Sequence, residues 1–153
     1  MNEIKITGRV NLKCYDKNGN LKWEVDKDNL ITSAGKAALA GLAGDTGSID
    51  AFTYLAVGTD STDVNVNQTT LEAEITDTGL ARSAATVTRT TTTVTNDTLT
   101  LEKTWTVTGT KTIEEAGVFN ASSDGVMLGR ALTTSKLVNN GEDLVLSYSI
   151  KFA

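Results

Sequence analysis

Ile4, Ile6, Val10, Leu12 and Cys14 all fall on even positions, so they share one face of an extended strand. Leu21, Trp23 and Val25 repeat the alternation on a return strand. Asp16-Lys17-Asn18-Gly19-Asn20 lies between them, and Asn-Gly supplies the positive φ a tight hairpin needs. The spacing therefore predicts an N-terminal hairpin over residues 3–26, with Gly8 marking a bulge. From residue 30 the period changes. Ala34, Ala37, Ala38, Leu39, Leu42 and Ala43 trace a narrow face of small side chains at helical spacing. That predicts a helix over 30–43, capped by Thr32 or Ser33, stapled by Leu30 and Ile31, and ended by Gly44.

Strand patterns dominate the rest. A strand is expected over 52–57, ended by Gly58. A polar, aperiodic run covers 59–68. Thr69-Thr70-Leu71-Glu72 has capping-box spacing, which predicts a short helix through Ile75. Two long strands follow, at 80–95 and 98–108, turning at Asn96-Asp97. The first carries Ala84, Thr86, Thr88, Thr90 and Thr92 on one polar face, either solvated or shared with a neighbouring chain. Strands over 111–120 (kinked at Gly117) and 126–132 come next. The last is the clearest, with Leu144, Leu146, Tyr148, Ile150 and Phe152 alternating without a miss.

Threonine occupies 26 of 153 positions. β-Branched side chains lose rotamers in helices and fit a pleated surface, so composition supports the strand reading. Many short strands separated by turn signals predict a mainly β fold, an antiparallel β-sandwich with an N-terminal β-hairpin and one or two short helices. The expected division is an N-terminal hairpin or arm over 1–29 and a sandwich domain over 30–153, with its helix near 33–43.

The net charge is −5 and no basic run exceeds two residues, so no nucleic-acid partner is expected. No segment approaches the ~20 apolar residues of a membrane helix, and the start, Met1–Lys5, lacks a signal-peptide pattern. Synthesis and folding in a reducing cytoplasm are expected. Cys14 is the single cysteine, which leaves no intrachain disulfide and, in its alternation, reads as a buried structural thiol.

Histidine is absent, which removes the commonest general base and metal ligand. Glu114 and Glu115 are adjacent, so on a strand they point to opposite faces. Glu72 and Glu74 diverge on a short helix. Asp60, Asp63, Asn65 and Asn67 make an oxygen-rich loop of the kind hard cations take, but without the central Gly and closing Glu of an EF-hand. Gly44–Gly47 lacks the Gly-Lys-Ser/Thr ending of a phosphate loop. Trp23, Trp105 and Tyr54 are candidates for a sugar-binding face, yet each sits in strand alternation. No catalytic, cofactor-binding or metal residue is assigned, no cofactor is expected, and the chain reads as a non-enzyme.

The order of motifs adds to this. Asn29-Leu30-Ile31-Thr32-Ser33-Ala34-Gly35-Lys36 is followed by Tyr54-Leu55-Ala56-Val57-Gly58-Thr59 and Thr70-Leu71-Glu72-Ala73-Glu74. Glu115-Ala116-Gly117-Val118-Phe119-Asn120 and Met127-Leu128-Gly129-Arg130 complete the series. The chain resembles small structural proteins of tailed bacteriophages, found as head-decoration (cement) or tail-fibre-associated proteins. The resemblance implies a jelly-roll-like sandwich that assembles as a trimer on the outer surface of a virion, against the major capsid protein or other virion proteins. The leading expectation is a capsid decoration protein that bridges shell subunits. The alternatives are a tail-fibre or baseplate-associated protein contacting a host receptor, and a carbohydrate-active enzyme or binding module. The expected self-contact runs through the sandwich edges and the 80–108 hairpin, with Trp23, Leu30, Thr88, Thr90, Thr92 and Trp105 as interface residues.

Overall fold

The even-position alternation at the N-terminus builds strand β1 (Ile6–Tyr15), which buries Val10, Leu12 and Cys14. Its partner β2 (Leu21–Ile31) returns through the expected turn, where Gly19 takes φ +80° and the Asp16 carboxylate accepts the Asn18 and Asn20 amides. The computed structural model describes residues 2–153; Met1, the first residue of the expected 1–29 segment, lies outside them. The remaining strands are β3 (Tyr54–Gly58), β4 (Ser83–Ala84), β5 (Thr86–Thr90), β6 (Thr98–Thr106), β7 (Lys111–Phe119), β8 (Met127–Val138) and β9 (Asp143–Phe152). Among the described residues these nine strands form one sheet, in the order β4-β3-β7-β8-β2-β1-β9-β6-β5, with every pairing antiparallel. The N-terminal hairpin is thus taken into the middle of the sheet and shares its core.

The sheet is mainly β as expected, and it curls until it is nearly closed into a barrel. Its two end strands, β4 and β5, are separated in the chain by one residue, Ala85. The strand predicted over 80–95 is therefore broken: the Ala85 amide bonds Thr53 O beside β3, and the next five residues cross to pair with β6. Residues 91–96 leave the ladder, and Asp97 O rejoins it by accepting the Phe152 amide of β9. There the Asp97 carboxylate accepts the amides of Thr92, Thr93 and Val94, which folds the tip of the hairpin over itself.

Helix α1 (Ser33–Ala43) starts at Thr32, whose hydroxyl accepts the Gly35 amide at 2.8 Å and donates to Met127 O at 2.6 Å. Leu30 and Ile31 do not staple the helix; they extend β2 and pair with Arg130 and Gly129 of β8. Gly35 permits the helix to lie directly on β8, because a Cβ there would stand 2.6 Å from Leu128 O. The short helix predicted at 69–75 is absent. The amides of Glu72 and Ala73 are taken by the Glu115 carboxylate, and the segment runs alongside β3 through Thr59 N to Ala73 O and Ile75 N to Val57 O. In a helix Ile75 N would bond Leu71 O; its bond to Val57 O replaces that rung of the i→i−4 ladder.

Two further expectations are corrected. Gly8 does not mark a bulge, since the β1/β2 register is regular there and shifts only between Cys14 and Tyr15. Gly8 instead leaves the space that the Asn29 side chain occupies on its way to Tyr148. Gly117 does not kink β7; it pairs in step with Ala56 and Arg130, and the irregularities fall at Ile113/Glu115 and Val118/Phe119.

The main core holds Leu12, Leu55, Leu80, Leu101, Ile113, Leu146 and Tyr148, all without solvent exposure. A second cluster, Ala56, Leu71, Phe119 and Met127, lies on the other face of β3 and β7, beneath the 59–75 segment. Burying side chains of this size contributes about 1.5–3 kcal/mol each. Strand β7 is thereby covered on both faces, which is why its buried run from Glu115 to Phe119 is continuous.

Candidate functional site

Glu115 and Arg130 form the one fully buried ion pair among the described residues. Arg130 Nε stands 2.7 Å from Glu115 Oε2, with side-chain exposures of 1% and 0%. Neighbouring strands place them: Glu115 lies on β7 opposite Gly58 of β3, and Arg130 on β8 opposite Gly117 of β7. Gly58 is required, because a Cβ there would come within 2.3 Å of Glu115 Oε1. Both groups have further partners. Glu115 also accepts the Glu72 and Ala73 amides at 3.1 and 2.8 Å. The Arg130 guanidinium donates to Thr62 O at 2.7 Å, to Asp60 O at 3.3 Å and to Gln68 Oε1 at 3.4 Å. Two charges placed under a long loop thus bind its backbone from below.

A second clamp does the same at the other end of the loop. Arg82 holds Glu74 through two contacts, at 2.6 and 3.1 Å, and donates to the carbonyls of Ala121 and Asp124. Its guanidinium lies 3.6 Å from the centre of the Phe119 ring. A third cluster braces the turn before β9: Glu142 accepts Lys22 Nζ at 2.9 Å and the Asn139 amide at 2.6 Å, and faces Cys14 Sγ at 3.8 Å. Burial, reinforced by the Glu142 carboxylate, pushes the Cys14 thiol up to about 11. A thiol held there is protonated at neutral pH and inert as a nucleophile.

The oxygen-rich loop turns its side chains to its own backbone. The Thr62 side chain and then the Thr62 amide hydrogen-bond the Asp60 carboxyl and lower it below the ordinary carboxylate range, with Arg130 adding to the effect. Asn65 accepts the Asn67 amide. Among the described residues, no three Asp, Glu or Cys side chains converge as a metal site would require. Glu114 is bonded to Ser135 while Glu115 is sealed below the loop, so the adjacent pair does not act together. The three aromatics do not assemble either. Trp105 is in the core and donates to Ala81 O at 3.0 Å, Tyr54 packs on the second cluster, and Trp23 caps the far end of β2 by donating to Leu137 O at 2.9 Å.

The candidate site is therefore a surface. Along β6 the odd positions turn inward, with Leu101 and Trp105 buried, and Glu102, Thr104 and Thr106 are exposed on the outside. The register sets Thr88 beside Thr100 and Ser149, and Thr86 beside Glu102 and Ser147. Thr90 reaches Thr100 at 2.9 Å and Thr92 reaches Thr98 at 2.7 Å. The result is an outer face of short hydroxyl side chains ending at β5, all five of whose residues are exposed. Of the expected interface residues, Thr88, Thr90 and Thr92 fall on this region. Trp23 and Leu30 are half-buried on β2, and Trp105 is removed from any interface by its burial.

Sequence reading missed Arg130 and Arg82, because a lone arginine in a strand carries no spacing signal. The available hint was Arg130 following Gly129 in a buried-looking run. Compared with known proteins, the chain matches no protein-family model and no curated protein.

Proposed function

We propose that this protein is a structural component of a virus particle, a decoration protein that sits on the outer surface of a capsid and bridges its subunits. The observation that carries the reading is the use to which the molecule puts its charges. Glu115, Arg130, Arg82, Glu74 and Glu142 hold loops to the sheet, while the exposed side of β5 and β6 presents a hydroxyl-rich face. A braced sheet with a broad polar face suits a partner that must be gripped over area. With this goes the finer reading of the curled sheet as a jelly-roll-like sandwich, β2-β1-β9-β6-β5 in one layer and β4-β3-β7-β8-β2 in the other. The resemblance of the motif series to phage structural proteins points the same way, and the acidic balance suits the outside of a shell better than its DNA-facing lining. Partners on this reading are the major capsid protein and further copies of the chain. The test is reconstitution: the purified protein, added to particles lacking it, binds saturably and raises the temperature at which they release their genome. Binding to host cells or glycans with none to particles would favour a tail-fibre role instead.

A further inference from the structure

The end strand β5 has one laddered edge and one open edge. It pairs with β6 over all five residues, packs closely on no other element, and every residue in it is exposed. An open strand edge carries a row of unpaired N–H and C=O groups and is a template for another strand. Proteins guard such edges with charge. The stretch of β2 that leaves β8, Leu21–Asp28, carries Lys22, Glu24, Asp26, Lys27 and Asp28. The other end strand, β4, is blunted to two residues. Thr86-Val87-Thr88-Arg89-Thr90 has neither protection, with Arg89 its sole charge.

We infer that β5 pairs antiparallel with β5 of a second copy across a two-fold axis at Thr88, which joins the two sheets edge to edge. The sequence is complementary to itself in that register. Thr88 faces Thr88, Thr86 faces Thr90, and Val87 faces Arg89, so no like charges stand opposite each other. The hydroxyl face of β5 and β6 would continue across the junction. A surface complementary to itself closes as a two-fold contact, whereas a three-fold ring needs two different surfaces at each junction. The contact is therefore distinct from the three-fold assembly that the motif resemblance implies, and it stands independently of a virion role. Five residues a side bury less than the ~1,200 Å² of standard interfaces, so the free dimer is weak and concentration-dependent.

Cysteine cross-linking tests the register. Residues directly opposed in an antiparallel pair have Cα atoms about 4.5–5.5 Å apart, within disulfide range. Thr88→Cys meets its own copy at that distance, while Thr86→Cys is offset from its copy by four residues, or roughly 13 Å. Native Cys14 is buried and does not compete. Under mild oxidation we expect Thr88→Cys to give covalent dimer at least about tenfold faster than Thr86→Cys, from the effective concentration of paired thiols. Light scattering of the unmodified protein should rise with concentration toward twice 16.2 kDa, and Thr88→Lys should hold it at the single-chain mass. Equal cross-linking of the two cysteine variants, or a single-chain mass throughout the series, would overturn the inference.

Discussion

Arg130 Nε rests 2.7 Å from Glu115 Oε2, and neither side chain reaches solvent. The pair joins β7 to β8 and, through their remaining hydrogen bonds, fixes five points of the 59–75 loop. Removing one partner strands a buried charge. Glu115→Gln is expected to lower stability by about 3–5 kcal/mol, read from chemical denaturation. The double variant Glu115→Gln with Arg130→Met should lose less than the sum of the two single changes, because it leaves no uncompensated charge. Additive losses would mean that the two groups act separately.

The close seat of α1 on β8 depends on a missing side chain. Gly35→Ala places a Cβ 2.6 Å from a backbone oxygen, which cannot swing aside as a side chain would. Although alanine is the better helix former, the overpacking should cost about 1–3 kcal/mol. An increase in the midpoint of denaturation would show that the helix has room to move.

Asp97 sets the acid response of the hairpin tip. Hydrogen bonds from the amides of Val94, Thr92 and Thr93, with the Thr98 hydroxyl, hold its carboxyl far below the ordinary range. The folded value lies under the unfolded one of about 3.9, so the stabilisation is complete above that value. It declines progressively as pH falls from there and is gone below the lower, folded value. Amide exchange at Thr92–Val94 should stay slow down to about pH 4 and rise only in stronger acid. Asp97→Asn should open the tip at neutral pH and flatten that acid dependence.

Cys14 should not react in the folded protein. Its thiol is sealed among Leu12, Leu144 and Glu142 and raised to about 11. A thiol-specific reagent at neutral pH should label it only after denaturant is added, at a rate set by unfolding. Rapid labelling of native protein would contradict the packing described.

Much of the fold is legible in the chain. The alternations in β1 and β9, the Asn-Gly turn and the Thr32-to-Gly44 helix all follow local rules that tertiary structure leaves intact. The missed features have one physical origin, hydrogen bonds between groups far apart in sequence. Backbone bonds from Thr59 to Ala73 and from Ile75 to Val57 hold residues 73–75 along β3, in place of a helix that capping chemistry favours. The Ala85 amide bonds to Thr53 O where a threonine-rich run reads as one long strand. Asn29, reaching past Gly8 to Tyr148, looks in sequence like a loop residue followed by a helix staple. The exposed hydroxyl face was legible because Thr86, Thr88 and Thr90 keep strict alternation. The burial of Trp105 was not, because its alternation fits a core and an interface equally well.

The most direct test of the proposed role compares virus particles assembled with and without this chain. Thermal release of the packaged genome should occur at a lower temperature in particles that lack it, and purified protein added back should restore the higher value. Identical release temperatures, with no retention of the added protein, would contradict the role.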